Sequence, residues 1–180
     1  MELYDPFDKL SFSPTECFLC GKKTDGLTEQ SPVFPAWLMK KYNLYEMPFK
    51  LLDESMTTYE AMKTPACSKC DRDYLQELEL KISKGFDIGF DGVSALDELT
   101  IFHWFSKILY GIIFIELQAA FTQHEGDEPL GISPSLLSKF RNLHLLLQSL
   151  RMPLVYEDFQ PWSLVRVKLS TESNVFDYRD

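Results

Sequence analysis

Four cysteines are the residues of this chain whose type and spacing are best suited to chemistry. Cys17 pairs with Cys20 and Cys67 with Cys70, each as Cys-x-x-Cys, with 46 residues between the pairs and no fifth cysteine. Two residues between ligands allow a tight turn to direct both sulfurs at one ion, and Gly21 supplies the backbone freedom that such a turn uses. The pattern predicts one structural zinc ion bound by all four thiolates.

Two disulfides or a redox-active Cys-x-x-Cys are the alternative interpretations of the same spacing. The N-terminus has no feature of a signal peptide, so a cytoplasmic location is expected, where thiols stay reduced and zinc is favoured over disulfides. Because structural zinc supplies roughly 10–16 kcal/mol in small peptides, the first half of the chain is expected to lose its fold without metal. Basic residues beside the pairs are expected to offset the charge of the thiolates: Lys22, Lys23, Lys69 and Arg72.

The segments around the cysteines predict an α+β fold. A short helix is expected over residues 36–42, after Pro35, and a β-hairpin is expected from residues 48–52 and 56–63, with its far end leading to the second cysteine pair. That pair begins a helix for which Gly85 is the expected stop. The order of turn, hairpin, and turn at a helix start is typical of a treble clef, in which one zinc ion ties the hairpin to the helix.

A looser segment rich in glycine and aspartate, residues 85–92, divides the chain into two predicted domains. Residues 1–92 form the zinc-binding module with its short hairpin and helices. Residues 93–180 are expected to be mainly helical, with C-terminal β-strands packed on the helices.

The apolar pattern of the second part predicts two long helices. The first is expected to begin at an N-cap at Ser94 and to continue to about Phe121, bending near Gly111. The second begins at Ser133, which precedes a proline. The tail from Leu164 onwards is expected to form strands.

Composition restricts the possible functions. The 180 residues carry a net charge of -9, and neither half of the chain is basic, so a nucleic-acid-binding arm is not expected. The longest apolar run, residues 108–115, is too short for a membrane helix, which needs about 20 residues. No phosphate-binding glycine loop, dinucleotide-binding motif or nucleophile elbow is present, so no nucleotide cofactor is expected.

Three stretches follow one another as Cys-x-x-Cys at residues 17–20, Ser-Pro-x-x-Pro-x-Trp-Leu at residues 31–38, and Cys-x-x-Cys-Asp at residues 67–71. This order resembles a group of bacterial HNH-endonuclease-like proteins, in which the second stretch is Glu-His-x-x-Pro-x-Trp-Leu and the third ends in Asn. The likeness spans roughly residues 15–110 if Trp104 and Lys107 are taken as the later tryptophan and lysine motif. It implies a zinc-bound treble-clef module of nuclease ancestry.

The resemblance also implies that the catalytic base is missing. An active HNH site needs a histidine that activates water beside a divalent cation, but Pro32 occupies that position and Ser31 the neighbouring acidic one. Asp71 stands at the last ligand position, with Asp73 nearby. Asp71 is therefore the one position of this motif that could still bind Mg²⁺ or Mn²⁺, and it is a weak catalytic candidate.

Histidines elsewhere in the chain are the other candidates for a base. His124 precedes an acidic run and is a second weak candidate, although such a cluster is more typical of a solvated loop. His103 and His144 lie on apolar helices and are expected at the edge of the core.

Three functions therefore stay open. The first is a catalytically degenerate HNH-like protein that keeps its zinc scaffold to bind nucleic acid or protein. The second is an active metal-dependent endonuclease with a displaced site around Asp71 and His124. The third is a purely structural protein-interaction module. A DNA or protein partner is expected, no membrane association is expected, and the oligomeric state stays open.

Overall fold

The computed structural model of the protein describes residues 2–123, 132–152 and 162–165. Within these ranges the architecture is α+β, with two separate two-stranded antiparallel sheets and several helices. This confirms the predicted class.

Two short sheets organise the first half. Strand β1 (Gln30–Pro32) pairs with β4 (Lys63–Pro65), and β2 (Pro48–Lys50) pairs with β3 (Met56–Thr58) as a hairpin. The hairpin is where the sequence predicts it, with shorter strands. The expectation that the hairpin itself leads to the second cysteine pair is wrong, because the strand that precedes the pair, β4, hydrogen-bonds to β1.

Helix α1 (Ala36–Tyr42) fills the predicted range, after Pro35. Along the chain it connects β1 to the hairpin. Three aromatic rings, those of Phe34, Phe49 and Tyr59, contact one another with centroid separations of 4.6–5.7 Å. These contacts fix the hairpin to the turn before α1.

The second cysteine pair begins a long helical stretch. It consists of α2 (Ser68–Cys70), a π-helical segment (Asp71–Gln76) and α3 (Glu77–Ile88), followed by the short helix α4 (Phe90–Ser94). The predicted stop at Gly85 is wrong. The helix continues to Ile88 because α4 packs closely against its last turn, where Gly85 faces the backbone of α4.

Helix α5 (Glu98–Gln123) is the longest element. Its first turn is capped by Asp97, whose carboxylate accepts hydrogen bonds from the Thr100 N–H at 2.8 Å and the Thr100 hydroxyl at 2.6 Å. The predicted cap, Ser94, lies instead in α4. The helix continues through Gly111 without a break.

By length and composition, α5 is apolar enough to cross a membrane between Glu98 and Thr122, but half of an apolar 18-residue window within that stretch is buried inside the protein. The central helix of a soluble protein has the same properties. The finding is consistent with a soluble protein, and the cytoplasmic location stays a prediction.

Helix α6 (Pro134–Leu147) begins where predicted and passes into a 3₁₀ turn (Gln148–Leu150). The Ser133 hydroxyl caps it by accepting a hydrogen bond from the Leu136 N–H at 3.2 Å. Residues 162–165 show no strand. The rest of the predicted C-terminal strands, residues 166–180, lies outside the described residues.

The larger of two core clusters surrounds the cysteines. It combines side chains from the N-terminal segment, the first cysteine turn, α5 and α6, including Phe7, Phe18, Tyr110, Phe114 and Leu147. The smaller cluster lies between α3 and α5 and contains Leu78, Ile82, Ile101 and Trp104. The larger cluster therefore draws on residues from both sides of the predicted domain boundary near residue 92.

Candidate metal centre

The four cysteine sulfurs lie within 4.8 Å of one another, although they come from two distant parts of the chain. A tetrahedron with metal–sulfur bonds of about 2.3 Å has edges of about 3.8 Å. The Cys20 and Cys67 sulfurs are 3.7 Å apart, close to that edge and far longer than a disulfide bond. All four thiols are free, and only Cys20 is partly exposed. The arrangement could hold one metal ion, and its donor set fits a closed tetrathiolate site.

The first cysteine turn is held by its own backbone. The N–H groups of Cys20 and Gly21 donate to the Cys17 carbonyl at 3.2 and 2.8 Å, and the Cys17 N–H donates to the Lys22 carbonyl at 2.8 Å. Gly21 has a φ of +70°, a conformation that side chains with a Cβ atom rarely adopt. The turn therefore directs both sulfurs to the same side, as the sequence predicts.

The second cysteine turn follows β4 directly and starts the helical stretch. The Phe18 N–H donates to the Pro65 carbonyl at 2.8 Å and so joins the first cysteine turn to β4. The Glu29 carboxylate accepts hydrogen bonds from the Ser68 N–H at 3.1 Å and the Ser68 hydroxyl at 2.8 Å, which holds its pKa below the usual value. The pairing of β1 with β4 thus fixes both the strand and the helix that position Cys67 and Cys70.

The sulfurs strongly influence one another's ionisation. The pKa of Cys20 is lowered well below its usual value, chiefly by the hydrogen bond from Cys17 and also by that from Cys70. The pKa values of Cys17 and Cys70 are raised, chiefly because each donates to a neighbouring sulfur. Without a cation, the cluster therefore favours one thiolate that accepts hydrogen bonds from thiols. A bound divalent ion supplies the charge that would allow the remaining thiols to ionise.

Two of the basic residues expected to offset the thiolate charge have other partners. The Lys23 ammonium lies 2.7 Å from the Glu16 carboxylate, and the Arg72 Nε donates to the Ser68 carbonyl at 3.2 Å. Lys22 and Lys69 are exposed beside the two turns. Their contribution to the centre stays a prediction.

Pro32, at the position that the resemblance assigns to a histidine, ends β1. Its carbonyl accepts a hydrogen bond from the Lys107 ammonium at 2.5 Å, and the same ammonium donates to the Val33 carbonyl at 3.0 Å and to Glu79 at 2.6 Å. Lys107 is buried, which lowers its pKa, while the Glu79 carboxylate opposes that shift. A buried lysine with all three protons bound therefore lies against this position.

The candidate catalytic residues are dispersed. Asp71 lies at the start of the π-helical segment, where its carboxylate accepts a hydrogen bond from Gln76 at 2.5 Å, and Asp73 is exposed two residues later. His124 lies outside the described residues. Within residues 2–123, 132–152 and 162–165, the four cysteines are the only group of three or more potential ligands gathered closely enough for a metal.

The other two histidines are buried, and His144 lies deeper than the predicted position at the edge of the core. His103 contacts the Ser149 hydroxyl through Nε2, and burial lowers its pKa to about 4. His144 is fully buried beside the first cysteine turn, with its pKa also lowered to about 4 by desolvation.

Sequence reasoning missed that α6 reaches the metal centre. His144 and Gln148 contact the carbonyl oxygens of the two residues between Cys17 and Cys20. The available signal was two polar side chains one helical turn apart on an otherwise apolar face, which indicates buried hydrogen-bonding partners.

Comparisons of the chain with family models, with curated proteins and with solved structures find no match.

Proposed function

We propose that this chain is a zinc-stabilised, non-catalytic binding module. The convergence of four sulfurs with a spacing of 3.7 Å between Cys20 and Cys67 carries the proposal. Four protein ligands fill the coordination sphere of zinc, so no position is left for water or substrate. The ion then acts in folding rather than in catalysis.

The order of elements supports a treble-clef-like module of HNH ancestry. One cysteine turn precedes β1, β1 pairs with β4, and the second cysteine turn joins β4 to a helix. One ion bound by both turns would tie the strand pair to the helix. This ancestry is a proposal that rests on the arrangement of these elements and on the sequence motifs.

Loss of catalysis is supported by the surroundings of Pro32. A hydrolytic site at the end of β1 would need a group that accepts a proton from water. Instead, the Pro32 carbonyl is bound by Lys107, which Glu79 neutralises in the protein interior. Asp71 binds a neighbouring side chain of its own helical stretch.

A protein partner is favoured over nucleic acid. The net charge of -9 opposes binding to a polyanion. Phe105 and Leu109, one turn apart on α5, are each about half exposed, at 56% and 51%. Adjacent exposed apolar side chains are more typical of a surface that contacts another protein.

Metal analysis and two functional assays test the proposal. We expect one zinc ion per chain, no nicking of supercoiled DNA with Mg²⁺ or Mn²⁺, and no salt-dependent DNA binding at low ionic strength. Nicking that Asp71→Ala abolishes while the fold persists would support the endonuclease alternative instead. His124→Ala is the matched variant at the second candidate and should leave any nicking unchanged. DNA binding that weakens with salt would favour a nucleic-acid partner.

A further inference from the structure

Helix α6 and the 3₁₀ turn that extends it contact the first cysteine turn through two side chains that are one helical turn apart. His144 Nε2 lies 3.0 Å from the Phe18 carbonyl oxygen, and Gln148 Nε2 donates to the Leu19 carbonyl oxygen at 2.9 Å. A carbonyl can only accept, so His144 donates to Phe18 in the tautomer that carries its proton on Nε2; the same ring nitrogen also lies 3.0 Å from the Gln148 amide nitrogen, which donates to Leu19. Phe18 and Leu19 are the two residues between Cys17 and Cys20. Two residues that are more than 120 positions away in the sequence therefore bind both carbonyl groups inside the turn.

The carbonyls of Phe18 and Leu19 accept neither of the backbone hydrogen bonds that close the turn. The Cys20 and Gly21 N–H groups both donate to the Cys17 carbonyl. Phe18 and Leu19 are themselves buried, at 1% and 0% exposure. Unpaired buried carbonyl groups are costly, so α6 satisfies a requirement that the turn creates.

The two donors from α6 are held in place by their own neighbours. The Gln148 Oε1 accepts from Arg151 at 2.5 Å, which sets the orientation of the amide and aims its nitrogen at Leu19. The His144 ring lies 4.7 Å from the Tyr110 ring and has the Tyr4 ring at its edge, 5.8 Å away. Both side chains are fully buried. The contact is therefore pre-organised rather than a loose surface interaction.

We infer that His144 and Gln148 are positioning residues of the metal centre, and that docking of α6 and binding of the metal strengthen each other. This rests on the proposed function, in which the four cysteines bind zinc. The metal fixes the turn from the sulfur side, and α6 fixes the same four residues from the carbonyl side. Docking of α6 and binding of the metal each restrict the motion of the turn, so each lowers the conformational entropy that the other has to remove. The two events therefore favour one another, and the coupling is reciprocal. Neither residue belongs to the four-sulfur cluster that would hold the ion.

The release of zinc from the folded protein to a competing chelator measures this coupling. Gln148→Met keeps the size of the side chain but removes the donor to Leu19, and His144→Leu removes the donor to Phe18. Outer partners of metal sites typically change affinity by 10–100-fold, so we expect each variant to release zinc about tenfold faster. With ¹¹³Cd bound in place of zinc, the metal resonance should also shift.

Leu143→Ala is the matched control. Leu143 packs against the larger core cluster from α6 without a hydrogen bond to the turn, so this variant weakens α6 through packing alone. We expect its zinc release to stay within about twofold of the wild-type rate. Arg151→Met retains both donors to the turn. It frees the Gln148 amide and removes the long contact of Arg151 with the Glu2 carbonyl, at 3.4 Å. A smaller acceleration is therefore expected, and this variant serves if the others do not fold.

The two levels of the proposal fail in different ways. A wild-type chain that binds no zinc would overturn the proposed function and this inference together. Wild-type binding with unchanged release from Gln148→Met and His144→Leu would overturn the inference alone. So would equal acceleration by Leu143→Ala, because the effect would then follow stability rather than the contact with the turn.

Discussion

The ammonium of Lys107 and the carboxylate of Glu79 lie 2.6 Å apart inside the protein, where the Lys107 side chain is 1% exposed. The ion pair joins α5 to α3. The same ammonium donates to the Pro32 and Val33 carbonyls, so it also joins α5 to the end of β1. One lysine on α5 thereby contacts both α3, which follows the second cysteine turn, and β1, which follows the first cysteine turn.

Replacement of Lys107 should destabilise the protein strongly. Lys107→Met keeps the apolar stem but leaves the Glu79 carboxylate and two carbonyls without their donor, which should lower the free energy of unfolding by about 3–5 kcal/mol. Chemical denaturation with zinc present measures the loss. The double variant Lys107→Met with Glu79→Leu should recover part of it, because no buried charge is then left unpaired. Equal stability of the wild-type and single-variant proteins would show that the pair is not needed for the fold.

Removal of the metal should abolish the cooperative unfolding of the first half. Cys67 lies at the junction of β4 and the helical stretch, so Cys67→Ser removes a ligand from the turn that connects them. We expect loss of stoichiometric zinc and of the thermal transition, because the binding energy of the ion contributes to folding. Calorimetry before and after complete chelation gives the same comparison for the wild-type chain.

Lys69→Ala is the control for this prediction, since Lys69 lies between the two ligands of the second turn but is exposed. It should keep the zinc ion and most of the thermal stability. A full thermal transition in the metal-free wild-type protein would contradict a structural role for the ion.

The contact between α5 and the end of β1 predicts an effect of alanine at Gly111. A Cβ atom there would approach Val33 Cγ2 to 2.9 Å, and Val33 is fully buried with a stiff, branched side chain. Alanine normally favours a helix over glycine by about 1 kcal/mol. We expect the clash to outweigh that gain, so that Gly111→Ala lowers the free energy of unfolding by about 1–2 kcal/mol.

The pair can be tested by a double-mutant cycle. Val33→Ala alone should destabilise by opening a cavity, but in combination with Gly111→Ala the two effects should be less than additive, because the new methyl group occupies part of that space. Strict additivity would show that the two positions are independent.

Local rules predicted the elements whose signals are contained in a few residues. Helix α1 follows its proline, the hairpin strands follow their β-branched and aromatic residues, and Ser133 caps α6 as a serine before a helix commonly does. The cysteine cluster was predictable for a related reason, since each half of it is a four-residue motif. The convergence of the two motifs on one site depends on the fold and became visible only in the structure.

The parts that sequence reasoning missed depend on distant contacts. The pairing of β1 with β4 depends on three residue pairs more than 30 positions apart. Lys107 binds carbonyls more than 70 positions away, and His144 binds one 126 positions away. Ser94 was a plausible cap by composition, yet Asp97 fills that role because α4 occupies the residues before it. The hydrophobic periodicity of a sequence predicts helices and strands but not such distant hydrogen-bonding partners.

His103 predicts a pH dependence of stability. The Ser149 hydroxyl donates to the Leu146 carbonyl at 2.7 Å, so it accepts from His103 Nε2–H, and the neutral ring is sufficient for this contact. Desolvation lowers the pKa of His103 to about 4, with Asp97 opposing the shift weakly. In the unfolded chain the ring should titrate near its ordinary value of about 6.5.

The unfolded chain therefore takes up this proton at higher pH than the folded protein does. The contribution of the neutral His103 ring to stability is complete above about pH 6.5 and is lost as the pH falls from 6.5 to 4. Over that interval, the wild-type protein should lose up to about 2 kcal/mol more of its free energy of unfolding than His103→Gln, which cannot titrate. Denaturation of both proteins at matched pH values cancels the protonation of the thiolates and carboxylates that they share. Parallel stability curves for the two proteins would mean that the His103 ring is hydrated enough to accept a proton in the folded state.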